Sequence, residues 1–224
     1  MTKMKQKNPY QARLIDFKKI LYDFFRWSGW PLLIWFRVKK IYVNKNQPKR
    51  IKGGAVIASN HILFSDCMIL HCAFVHRRIQ FLCTTDILNT KFKKFFFKNC
   101  GCVPIDTKNP SPHSMREVIM RLKGGNVMVI FPEGHVSFDS DKPMDQFKSG
   151  AVLFAYQANV PIYPVYRETR KNAFERQRVV IGEPINLKEK FGSITNAEKI
   201  KEATEYLYQK ELELKEIYHK YDKK

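Results

Sequence analysis

Acidic residues are scarce in this chain of 224, with 21 Asp and Glu against 40 Lys and Arg and a formal charge of +19 at neutral pH. Such an imbalance implies an anionic partner, and nucleic acid, an anionic membrane and a polyanionic cosubstrate all qualify. Missing too is any run of about 20 apolar residues, so no segment reads as a bilayer span. The opening MTKMKQK is basic and polar, with no apolar segment or small-residue cleavage site behind it, which argues against a secretory signal. Cysteine is sparse and odd in number. Cys67, Cys72, Cys83, Cys100 and Cys102 lie in apolar segments and read as reduced core thiols, not as a disulfide framework. Cys100-x-Cys102 is too tight for a zinc knuckle and no second ligand pair follows, so no metal site is expected. Internal repeats, low-complexity tracts and RNP-like, zinc-finger or helix-turn-helix patterns are absent. A basic nucleic-acid-binding protein is therefore the lesser reading of the charge.

The length suits one core with an appended helical piece, divided here as residues 1–45 and residues 46–224. The first part is strongly aromatic and holds all three tryptophans, Trp27, Trp30 and Trp35, together with Phe24 and Phe25. Between residues 10 and 43 the longest uncharged run, 27–36, is ten residues broken by Gly29-Trp30-Pro31. Two short helices meeting there, flanked by lysine and arginine, suit the headgroup layer of an anionic membrane. The other reading is an aromatic lid packed on the core. Residues 91–98 interleave lysine and phenylalanine, either as an amphipathic helix with a buried Phe face or as a basic-aromatic surface.

Residues 46–224 alternate two kinds of segment. Short apolar runs at 56–58, 79–84, 101–106, 126–131, 160–165 and 178–182 read as strands, and 67–76, 89–99 and 147–158 read as helices. Ser114-Met-Arg-Glu117 has the form of a capping box opening a further helix that closes at Gly124-Gly125. The order predicts an α/β domain. The tail, 196–224, predicts a charged helix with Ile200, Leu207, Leu214 and Tyr221 on one stripe and Glu211/Lys215 and Glu216/Lys220 as i,i+4 pairs.

The stretch that carries chemistry is 53–70, GGAVIASNHILFSDCMIL, where His61 and Asp66 flank a strand-to-helix turn. On one continuous helix a five-residue offset would separate them, so they meet only if residues 62–65 fold back. If they do, Asp66 can fix the imidazole tautomer while the other ring nitrogen takes a proton from a hydroxyl. Downstream come GCVPID (101–106), FPEG (131–134), FKSGA (147–151) and VPIYPV (160–165). These blocks, in this order behind NH-x4-D, resemble the lysophosphatidic acid acyltransferase family over about residues 50–185.

The resemblance implies a single mixed sheet flanked by helices, glycerolphosphate acyltransferase-like. It implies acyl transfer from an acyl-CoA or acyl-carrier-protein thioester to the free hydroxyl of 1-acyl-sn-glycerol-3-phosphate, giving phosphatidic acid. His61 would be the general base and Asp66 its orienting carboxylate, with no cofactor beyond the thioester cosubstrate. Glu133 and Gly134 would line the acceptor site, with Phe131 and Pro132 shaping the turn. The expected setting is a peripheral, monotopic enzyme on the cytoplasmic face of an anionic membrane. Three departures stand out: Asp106 is followed by Thr107 where the family has arginine, His135-Val136-Ser137 stands where Thr-Arg-Ser is common, and Thr84-Thr85-Asp86-Ile87 lacks a frequent lysine. Lys108, Lys142 and Lys148 are placed to supply the missing positive charge, since lysine binds phosphate as a point charge. The departures leave another lysolipid or a hydroxylated lipid open as the acceptor.

Overall fold

A computed structural model of the chain describes residues 8–12, 20, 22–24, 35, 37–106, 109–138, 144–170, 172 and 175–222. Seven strands form one sheet: β1 (Lys39–Tyr42), β2 (Ala55–Ser59), β3 (Ile79–Thr84), β4 (Val103–Ile105), β5 (Val127–Ile130), β6 (Ile162–Tyr166) and β7 (Arg178–Ile181). Their order across the sheet is β1-β7-β6-β2-β5-β3-β4. All neighbours run parallel except β6 and β7, which makes the sheet mixed, as expected.

The central strands are apolar throughout because both faces are covered. Along β2, Ala55 and Ile57 enter one core cluster while Val56 and Ala58 enter the other, and β5 alternates in the same way. Helix α1 (Asp66–Ala73) covers the first face with Ile69, Leu70 and Ala73. Helices α3 (Pro112–Lys123) and α4 (Gly150–Ala158) cover the second, joined by Ala203 and Leu207 of α6 (Ala197–Asp222). Between them in sequence lie α2 (Lys91–Asn99) and the short α5 (Leu187–Phe191).

Several local readings need correction. Helix α3 is capped by Ser111, whose side chain accepts from the Ser114 N–H, so the cap stands three residues ahead of the expected box and Pro112 occupies the first turn. Glu117 instead pairs with Arg121 one turn on. Glu211 does not pair with Lys215. It faces inward and is fully buried, while Leu207 and Leu214 pack and Tyr221 stays exposed. Residues 39–42, read as part of the N-terminal segment, form edge strand β1 along β7. Helix α2 buries none of its residues: Phe92 and Phe95 point to solvent, whereas Phe96 and Phe97 line a cavity.

Pieces of the N-terminal part also rest on the sheet domain. The Ala12 N–H donates to the Gly124 carbonyl, Asn126 donates to the Tyr10 carbonyl, and the Tyr22 hydroxyl donates to the Ile79 carbonyl. Asp23 pairs with Arg78. Trp35 and Phe24 are exposed, and Phe25, Trp27 and Trp30 lie outside the described residues. No helix among the described residues is long and apolar enough to cross a membrane.

Candidate active site

Three adjacent parallel strands end at the same edge, and the site is assembled from the residues just beyond them, where open α/β sheets usually bind ligands. Register pairs Ala58 of β2 with Ile130 of β5 and with Pro164 of β6. The residues that follow, Asn60-His61, Pro132-Glu133 and Arg167, therefore come side by side. The His61 N–H donates to Glu133 Oε1 at 3.3 Å, and the imidazole stacks on Phe131 with ring centroids 3.9 Å apart.

Asp66 is the organising group. It is completely buried at the first turn of α1, and its Oδ2 receives the Ile62 and Leu63 N–H groups at 2.7 and 3.0 Å. Those two bonds fold residues 62–65 back and bring His61 Nδ1 to 3.0 Å from the same oxygen. With Nδ1–H donating to the carboxylate, Nε2 keeps its lone pair and can accept a proton.

Arg167, one residue past β6, was not singled out from the sequence. Its Nη2 lies 2.8 Å from Asp66 Oδ1, and both side chains are shut off from solvent. Burial draws the guanidinium down from its usual value, and Asp66 opposes that shift. Asn60 clamps the turn: its side chain accepts the Arg167 N–H and donates to the Arg167 carbonyl. The signal available in the sequence was position, since Arg167 is the first charge after a long buried strand.

Glu133 is buried, and desolvation pushes its pKa up against weak support from the His61 and Asp145 N–H groups. Gly134 takes φ +78, and the Lys148 side chain lies across it. Thus Lys148 joins Phe131, Pro132, Glu133 and Gly134 at one turn, while Thr107, Lys108 and Lys142 lie outside the described residues. Residues 137 and 138 pair with the 61–62 backbone and stand Phe138 against Phe64, edge to face, both exposed.

A cavity of about 840 Å³ opens at this turn, lined by His61, Pro132 and Lys148 from the turn and by Phe81, Phe96 and Phe154 among other apolar side chains. All five cysteines line it as free thiols. Burial pushes Cys67 up to about 12 and Cys72 up to about 11, so these sulfurs keep their protons and act as apolar wall.

The family model described as Acyltransferase matches residues 40–168, more than half of the chain. The chain belongs to the acyltransferase family. This acyltransferase is 29% identical over 188 residues to the 1-acyl-sn-glycerol-3-phosphate acyltransferase of Bacillus subtilis, covering 82% of the chain and 89% of that protein. A protein of the same name from Streptococcus pneumoniae is 25% identical over 163 residues, 70% of the chain and 60% of that relative. The fold is that of the 1-acyl-sn-glycerophosphate acyltransferase crystal structure from Thermotoga maritima, with TM-score 0.59, 19% identity, and coverage of 89% of this chain and 80% of that one.

Proposed function

We propose that the enzyme transfers a fatty acyl group from an acyl-CoA or acyl-carrier-protein thioester to the free hydroxyl of 1-acyl-sn-glycerol-3-phosphate, giving phosphatidic acid. The observation that carries the reading is the His61 imidazole, held 3.0 Å from buried Asp66 and lining a cavity walled mostly by apolar side chains. The names of the relatives support this acceptor.

His61 Nε2 takes the proton as the acceptor oxygen attacks the thioester carbonyl. The tetrahedral intermediate collapses with cleavage of the C–S bond, and the imidazolium returns the proton to the leaving sulfur. Asp66 stabilises the imidazolium, and Arg167 pairs with the far oxygen of Asp66 out of reach of solvent. The cavity suits an acyl chain in volume and lining, and Lys148 is a cation for the acceptor phosphate. The charge of +19, the exposed Phe64 and Phe138 beside the site, and exposed Phe92 and Phe95 on lysine-rich α2 fit peripheral attachment to the cytoplasmic face of an anionic membrane.

Thioester consumption with lysophosphatidic acid tests the reading, against a panel of other lysolipids. His61→Ala is expected to reduce turnover roughly 10²- to 10⁴-fold, the usual contribution of a general base. Activity surviving within tenfold would remove His61 from that role. Turnover only on a lysolipid with another head group would replace the acceptor.

A further inference from the structure

The turn that would meet the acceptor phosphate carries no cationic side chain between residues 131 and 138, yet it gathers metal-ligating groups. Glu133, His135 and Asp145 each offer a ligand atom, and these atoms lie within 4.8 Å of one another. His135 Nδ1 is 3.2 Å from the Glu133 carbonyl. That contact gives the N–H to the backbone and leaves the Nε2 lone pair facing Asp145 Oδ2 at 2.9 Å. Two acceptors so close repel unless a proton or a cation stands between them. A ring N–H tied to a backbone carbonyl is also the usual second contact of a metal-bound histidine.

The third group strengthens the case. Glu133 is 5% exposed, yet among the described residues its oxygens receive only the two long N–H contacts of 3.3 Å, from His61 and Asp145. A buried carboxylate so weakly served gains from a neighbouring cation. Lys148 lies over Gly134, and Arg167 is committed to Asp66, so Lys148 offers a phosphate dianion one charge.

We infer that Glu133, His135 and Asp145 bind a divalent cation whose remaining coordination positions take the acceptor phosphate. One imidazole nitrogen with two carboxylates favours an ion of intermediate hardness, Mn²⁺ or Zn²⁺, over Ca²⁺, which takes six to eight oxygens. Glu133 then acts on the phosphate through the metal, a role an unaided carboxylate could not fill. The phosphate half of this inference rests on the proposed acceptor, whereas the cation site does not.

The test uses the full chain, stripped with chelator and titrated with Mn²⁺ while the free-ion signal is followed by electron paramagnetic resonance. One Mn²⁺ per chain is expected, with His135→Ala and Asp145→Asn each weakening it at least about tenfold and Zn²⁺ competing. Both side chains are at least half exposed, so the variants should fold, and thermal melts check that. No saturable binding, or binding that both substitutions leave within about twofold, would overturn the site. In a second arm, chelation should raise KM for lysophosphatidic acid and leave a monoacylglycerol acceptor unaffected. An unchanged KM would overturn the phosphate role. Mn²⁺ binding without turnover on lysophosphatidic acid under any condition would leave the cation site standing and sink the acceptor assignment instead.

Discussion

Arg167 Nη2 stands 2.8 Å from Asp66 Oδ1 inside the sheet's edge, so the carboxylate that orients His61 is itself held by a buried cation from the end of β6. A pair of this kind adds little net stability, but removing one partner strands the other charge in a medium that cannot solvate it. Arg167→Ala is expected to lower the unfolding free energy by about 3–5 kcal/mol. Denaturant titration measures this. A variant that unfolds at the wild-type midpoint would mean that water reaches Asp66.

Glu211 is fully buried on α6, near Glu133 and the Asn60 backbone, and neither of its oxygens has a well-formed hydrogen bond among the described residues. Burial first, and Glu133 second, raise its pKa well above the ordinary 4.5. The stability this group contributes is whole below the unfolded value and drains away as pH rises through the folded one. Glu211→Gln keeps the shape without the titration. Its Tm relative to wild type should therefore be higher at about pH 8 than at about pH 5. An equal difference at both values would show that Glu211 titrates normally.

At Gly134 the backbone has φ +78, and an added Cβ would sit 2.6 Å from Lys148 Nζ. Gly134→Ala should cost about 1–2 kcal/mol from the left-handed conformation alone. It should also push the lysine off the turn, raising KM for lysophosphatidic acid more than it lowers kcat. Steady-state kinetics would show the split, and a lowered kcat at constant KM would move Lys148 away from the acceptor.

Membrane attachment is best tested by point changes, because deletion to residue 43 would also remove β1 and the Tyr22 anchor to Ile79. Sedimentation should favour anionic over neutral vesicles, each basic residue near the surface contributing about 1 kcal/mol. Salt should weaken this binding without abolishing it, since aromatic insertion is not screened. Changing Phe64 and Phe138 together to serine should remove most of the salt-resistant fraction. Equal binding to both vesicle types would sink the electrostatic half.

What could be read from the sequence follows from range. The β2, β5 and β6 strands are buried along their whole length and announce themselves as continuous apolar runs. His61 and Asp66 are near neighbours in sequence, so their meeting needed only a fold-back. Strand β1, KKIY, escaped because two of its four residues are exposed lysines that look like a membrane-facing flank. Arg167 and Glu211 escaped because each is defined by partners far away in the chain. A guanidinium paired inside a domain and a helix glutamate turned inward have the same letters as their solvated counterparts. The cap at Ser111 was displaced because two serines three residues apart can both begin a helix, and Pro112 decides for the first.

The five thiols that wall the cavity make the chain its own gauge of occupancy. An alkylating reagent must enter the same compartment that an acyl chain would fill, where burial keeps Cys67 and Cys72 protonated. Labelling of Cys67 and Cys72 should thus be slow in the empty protein and slower with lipid in place. Sulfur is also polarizable and yields to irregular contact. A wall of this kind would yield to chains of different length without being rebuilt, and selection among them would then fall to the depth of the compartment and not to any single side chain along it.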